Sequence, residues 1–242
     1  MKILFIRHAD PDYEHDSLTE KGWREAEYLA QILSKQDITA FYCSPYGRAR
    51  DTASVTLRKM GRDAEVLPWL REFDYFIDRP DCLERKRIPW DWLPQDWTQE
   101  PRFYNVDEWT ENERMAASDI GGAYRNVTEQ FDELLARHGY RRDGTLYRVE
   151  RPNHDTIALF CHFGVESVLL SHIWNVSPMV VWHGFCAQPS SVTTLVTEER
   201  RQGTASLRML SFGETTHLYN NNEPPSFAAR FCECYDDDTR HD

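Results

Sequence analysis

No apolar stretch in this 242-residue chain approaches the roughly 20 consecutive residues that cross a bilayer, so no membrane span is expected. The opening run from Met1 to Ile6 is also too short for the core of a secretory signal. Positive charge is scarce. The 28 Lys and Arg face 40 Asp and Glu, a net charge of -12 at pH 7. Such a surface is repelled by nucleic-acid phosphates and anionic lipid, and neither is expected as a partner. No CxxC pair occurs among the six cysteines. The pair Cys232 and Cys234 lacks the nearby histidines of a zinc site, and Cys43 and Cys161 fall in apolar strand-like runs. With neither a signal core nor a membrane span, the chain is expected in the cytoplasm, where reducing conditions favour buried free thiols. No repeat at solenoid or propeller periods is visible.

The chain does have enough to fold. Hydrophobic residues make up 40% and aromatics 13%, which suits one large domain or one domain with an insertion. Lys2 to Arg7 reads as a strand, and Thr19 caps a helix whose Ala26, Leu29, Ala30 and Leu33 recur at helical spacing. A second strand, Ala40 to Cys43, leads into Ser44-Pro45, a good cap and first-turn pair, and a helix carrying Ala49, Ala53, Thr56 and Met60 on one face. Glu65 to Leu67 is a short third strand. A helix from about Ile120 to His138 ends at Gly139, and Thr156 to Cys161, the most apolar strand, opens into another helix after His162. Val192 to Val196 and Leu207 to Leu210 form a closing pair of strands around Gly203. Residues 76–112 break the pattern with four prolines and four tryptophans and read as a long irregular insertion. From Asn220 the tail, 221–242, is polar and acidic and is expected to be loose. Alternating strands and helices predict an α/β domain over 1–220, a three-layer sandwich with a mainly parallel sheet, whose ligands sit beyond the carboxyl ends of the strands.

Those ends carry chemistry. Arg7 and His8 close the first strand, Arg48 falls on the first turn of the helix after the second, and His162 ends the apolar strand. Each has a bland reading: a surface dipeptide, a solvated arginine (equally Arg50), a structural histidine. Only convergence in space separates the two. His15, His138, His154, His172 and His241 are read as structural or exposed, and His183 and His217 stay open.

Taken together and in order, Arg7-His8, Leu18-Thr19-Glu20-Lys21-Gly22, the block from Ser44 to Ala53, Leu70-Arg71-Glu72 and His162-Phe163-Gly164 resemble the histidine phosphatase superfamily, the phosphoglycerate-mutase-like proteins. The similarity covers about the first 75 residues and resumes from Thr156 to about Leu218. It departs at Ala9-Asp10, where Gly-Glu is usual. It departs again at Phe163, which replaces the usual glycine and the aspartate that donates a proton in acid phosphatases and phytases.

The resemblance implies a phosphomonoesterase acting on a small phosphorylated metabolite through a phosphohistidine, with no cofactor and no metal. His8 is then the nucleophile, Arg7, Arg48 and His162 bind the phosphoryl oxygens, and Glu72 is the general acid, with Asp74 as the alternative. Arg7 and Arg48 beside His8 lower its pKa toward the neutral nucleophile. A phosphomutase of the same family and a non-catalytic binding module on the same fold are the competing readings. The insertion is a candidate lid, and its Arg79, Arg85-Lys86-Arg87 and Arg102 either reach a second anion on the substrate or form a solvated basic face. Its tryptophans are expected to serve packing. Substrate identity and oligomeric state stay open.

Overall fold

The computed structural model describes residues 1–226 and 234–236. In chain order the main elements are β1 (Lys2–Arg7), α1 (Glu20–Leu33), β2 (Ala40–Cys43), α2 (Gly47–Met60), β3 (Glu65–Val66), α3 (Ile120–Arg137), β4 (Tyr140–Asp143), β5 (Leu146–Val149), β6 (Thr156–Cys161), α4 (Phe163–Trp174), α5 (Pro178–Gly184), β7 (Val192–Arg201) and β8 (Thr204–Glu214). One eight-stranded sheet has the order β3-β2-β6-β1-β7-β8-β5-β4.

Strand alternation explains the three layers. Side chains of β1 point alternately to opposite faces, so Ile3 and Phe5 join one core with α3 and α4, while Leu4 and Ile6 join another with α1 and α2. β6, buried at all six positions, divides in the same way. A strand covered on both sides reads as a continuous apolar run, which is why β1 and β6 stand out in the sequence.

The sheet is mixed, which corrects the expectation of a mainly parallel one. β3, β2, β6 and β1 run parallel, whereas β7, β8, β5 and β4 continue the sheet antiparallel. The hairpin of β4 and β5 went unread because Arg141, Arg142, Asp143 and Arg148 interrupt its apolar pattern. On the edge strand β4, Arg141, Arg142 and Asp143 discourage pairing with another chain. The closing strands β7 and β8 run past the predicted segments at both ends of the hairpin.

Thr19 caps α1 as expected, accepting from the Gly22 amide. Ser44 does not cap α2, which starts at Gly47 after Tyr46; its hydroxyl is turned to the site instead. Residues 76–112 form short helical turns whose Trp92, Trp97, Phe103 and Trp109 are buried in the same core as α3 and α4. The polar stretch expected to be loose from Asn220 is tied down as far as Ser226: Glu223 pairs with Lys21 and Arg24 on α1, and the Ser226 hydroxyl donates to Asp10. Among the described residues no helix is long and apolar enough to cross a membrane.

Candidate active site

The parallel register builds the site. Arg7 lies opposite Cys161, and Cys43 opposite Phe160. The next residues, His8, His162 and Ser44, therefore emerge side by side at the carboxyl ends of adjacent strands. The two imidazole centroids are 5.1 Å apart, and the Ser44 hydroxyl is 2.7 Å from His162 Nε2.

His8 Nδ1 lies 2.8 Å from the Ala9 carbonyl oxygen. A carbonyl only accepts, so Nδ1 carries the proton and Nε2 of the neutral ring keeps its lone pair. Burial, then Arg7 and Arg48, push the His8 pKa well below the usual histidine range. His162, fully buried, is pushed down likewise by burial, then by His8 and the same arginines. The neutral ring is the form the free site favours at both positions.

Arg7 Nη1 donates to the Ala187 carbonyl, and its guanidinium lies 5.8 Å from the centroid of the Phe163 ring. Arg48 sits on the first turn of α2, where a cation opposes the helix dipole. Asp16 compensates: one oxygen accepts from Arg48 Nη1 and the other from the Gly47 amide, each at 2.7 Å. The Tyr46 ring covers the Arg48 guanidinium at 4.8 Å.

Glu72 follows the short turn Pro68–Leu70 and points to the start of α4. Its carboxyl accepts from the amides of Phe73, Gly164 and Val165 at 2.7, 3.2 and 3.0 Å. Those donors and the two arginines favour the anion, yet burial outweighs them and the Glu72 pKa is raised. Gly164 is required there, because a Cβ at that position would lie 2.6 Å from Glu72 Oε1.

Arg7, His8, Arg48, Glu72 and Asp74 all line one cleft of about 870 Å³. His162 stands behind His8 and contributes no surface to the cleft wall. Asp74 is engaged by the Tyr46 hydroxyl and Arg71. Of the basic residues in 76–112, only Arg85 and Arg87 reach the cleft. Arg79 is buried against Asp81 and Asp91, and Arg102 clasps Glu100, so both hold the segment together and do not face a substrate. His183 accepts burial beside Trp97 with Nδ1 donating to the Met179 carbonyl, and His217 is buried with its Nε2 on Ser190. Neither lines the cleft. His15 pairs with Asp12, His138 with Tyr42 and His172 with Asp132, while His154 is exposed. His241 and Cys232 lie outside the described residues, and Cys234 is exposed. Among the described residues no group of three or more His, Cys, Asp or Glu is placed to hold a metal ion.

Sequence reasoning missed Asp16, Ser44 and Glu166. Ser44 belongs to the block from Ser44 to Ala53, where Ser-Pro ahead of a helix signals a cap and not a partner for His162. Asp16 has no local signal, since it acts on an element 31 residues away. Glu166, on the first turn of α4, is fully buried and its pKa is pushed up to about 7 by burial.

A three-layer α/β fold that brings a buried histidine, two arginines and a carboxyl group to one cleft is the architecture of a histidine phosphatase. The chain belongs to the histidine phosphatase superfamily, branch 1, whose family model matches residues 3–209. It is 39% identical over 74 residues to a 2,3-bisphosphoglycerate-dependent phosphoglycerate mutase of Thermoplasma acidophilum, a match covering 26% of this chain and 37% of that protein. It is 23% identical over 192 residues to the adenosylcobalamin/alpha-ribazole phosphatase of Salmonella typhi, covering 76% of this chain and 84% of that one. The solved phosphoserine phosphatase of Entamoeba histolytica shares the fold with a TM-score of 0.55 at 19% identity, covering 90% of this chain and 98% of the other.

Proposed function

We propose that the protein is a phosphomonoesterase that transfers the phosphoryl group of a small metabolite to His8 and then to water. The observation that carries this reading is the His8 Nδ1 contact with Ala9, which leaves Nε2 as a buried, neutral nucleophile between two guanidiniums. In the first step Nε2 bonds to phosphorus and the ester oxygen leaves, taking the proton of Glu72. In the second, water bonds to phosphorus, the P–N bond breaks, and the Glu72 carboxylate accepts the water proton. Arg7 and Arg48 neutralise the charge that accumulates on the equatorial oxygens, the task metal ions perform in other phosphoryl-transfer sites. His162 acts from behind His8: it exposes no surface to the cleft, and its Nε2 is engaged by the Ser44 hydroxyl.

The Trp- and Pro-rich segment 76–112 serves as a wall or lid of the cleft, supported by Phe76, Arg85, Arg87, Ile88 and Trp90 on its lining, and Arg85 and Arg87 favour a substrate with further negative charge. Relatives named as phosphatases for alpha-ribazole and phosphoserine support hydrolysis, and the partial match to a mutase keeps transfer to a second hydroxyl as the alternative.

Radiolabelled phosphate from a substrate is expected to be trapped on the wild type as an acid-labile adduct and to be absent from His8→Ala. Equal labelling of both would remove the proposed nucleophile. Inorganic phosphate release measured against isomer formation on phosphoglycerates separates hydrolase from mutase. No labelling of the wild type by any phosphomonoester would leave the binding-module reading.

A further inference from the structure

Three aromatic side chains surround the cleft without being needed for phosphoryl transfer. Tyr13 is 65% exposed and Phe76 54% exposed, although both line the cleft with Trp90. Large aromatics held open to water at a concave site mark a surface that a ligand covers. Their positions are prepared. Trp90 Nε1 donates to the Phe73 carbonyl and its ring meets Phe163 edge-on at 5.9 Å. Phe76 precedes Ile77, whose backbone bridges to Arg87 in both directions. Tyr13 rests 5.5 Å from the Arg48 guanidinium.

The size of the cleft agrees. At about 870 Å³ it falls in the range of roughly 300–1,000 Å³ that encloses drug-sized ligands. A phosphoryl group on a three-carbon alcohol would leave most of it to water. We infer that the leaving group of the natural substrate carries a planar apolar ring system, which Tyr13, Phe76 and Trp90 grip while the phosphoryl group lies against His8. Aromatic side chains have few rotatable bonds to immobilise and so lose little conformational entropy on binding, which leaves the contact to affinity and orientation.

This rests on the phosphatase reading, and the test keeps the two apart. Ethyl phosphate and 2-(1-naphthyl)ethyl phosphate have primary-alcohol leaving groups of similar basicity, so the ratio of their kcat/KM values reports the ring contact and not bond reactivity. The corresponding phosphonates, which cannot be hydrolysed, give the same ratio as dissociation constants by calorimetry. The naphthyl compounds are expected to be favoured by about tenfold or more in both measurements. Phe76→Ala and Tyr13→Ala, both at exposed positions, are each expected to bring the ratio toward one. A wild-type ratio near one, or a ratio unchanged by both variants, would overturn the inference. If neither ester releases phosphate, the phosphatase reading fails while the phosphonate ratio still decides whether the aromatic subsite exists.

Discussion

A nucleophilic imidazole must be neutral and a general acid must be protonated at the same pH, and burial serves both ends. Removing water disfavours any charge, so it lowers the pKa of His8 and raises that of Glu72. The arginines add to the effect at His8 and oppose it at Glu72, where burial still outweighs them. Glu72→Gln is expected to lower kcat/KM for alkyl phosphates by about 10²- to 10⁴-fold while sparing kcat/KM for 4-nitrophenyl phosphate, whose leaving group needs no proton, and to lower kcat for both through the shared second step. The same substitution should remove the alkaline limb of the rate profile, because that limb records loss of the Glu72 proton. Equal losses on alkyl and aryl esters would move the acid to Asp74. The residues legible in the sequence were those at strand ends, where an abrupt change from apolar to charged marks a cleft. Asp16 and Ser44 were not legible in their roles, because each acts on a residue that only folding brings near.

At the scale of elements, the start of α4 ties the acid to the second histidine. Gly164 follows Phe163 and His162 directly, and its missing side chain is the room in which the Glu72 carboxyl meets the helix amides. Gly164→Ala is expected to displace Glu72 and lower kcat/KM by about 10²-fold, since errors of about 1 Å in a positioned group have that effect. Kinetics on alkyl phosphates check it, with far-ultraviolet circular dichroism showing that the fold is kept; an unaltered rate would mean that the carboxyl has slack. The helix starting after β2 teaches a related lesson. Ser-Pro is a sound cap by local rules, yet the Ser44 hydroxyl is engaged by His162 while Asp16 caps the Gly47 amide from another loop. Local propensity named the right residue types and tertiary contacts reassigned them.

For the whole molecule, the Trp- and Pro-rich segment is part of the core. Trp109 is fully buried and packs edge-on against Trp182 at 5.7 Å and Tyr124 at 5.3 Å. Trp109→Ala is expected to destabilise the fold by about 3–5 kcal/mol, read from the urea midpoint. A loss under 1 kcal/mol would show that the segment is only loosely attached. A second whole-molecule property is the burial of Glu166. Its carboxyl keeps its proton in the folded chain up to about pH 7, whereas in the unfolded chain it ionises near the ordinary value of 4.5. Between those values the folded state binds the extra proton, so this residue's contribution to stability falls as pH rises through that window, by up to about 3 kcal/mol. Denaturation at pH 5 and pH 8 should therefore show the wild type losing stability relative to Glu166→Gln. Parallel changes in the two proteins would place the Glu166 proton elsewhere.

What the amino-acid order settled without the structure is local in origin: apolar runs for β1 and β6, helical spacing in α1, α2 and α3, and the charged residues that end the strands. These are readable because burial on both sheet faces and on one helix face imposes a period on neighbouring residues. The mixed character of the sheet, the pairing of Arg48 with Asp16, the second-row place of His162 and the sorting of Arg79 and Arg102 away from the cleft came only with the tertiary structure. Each depends on which side chains meet across tens or hundreds of residues of chain, and no period in the sequence records such a meeting.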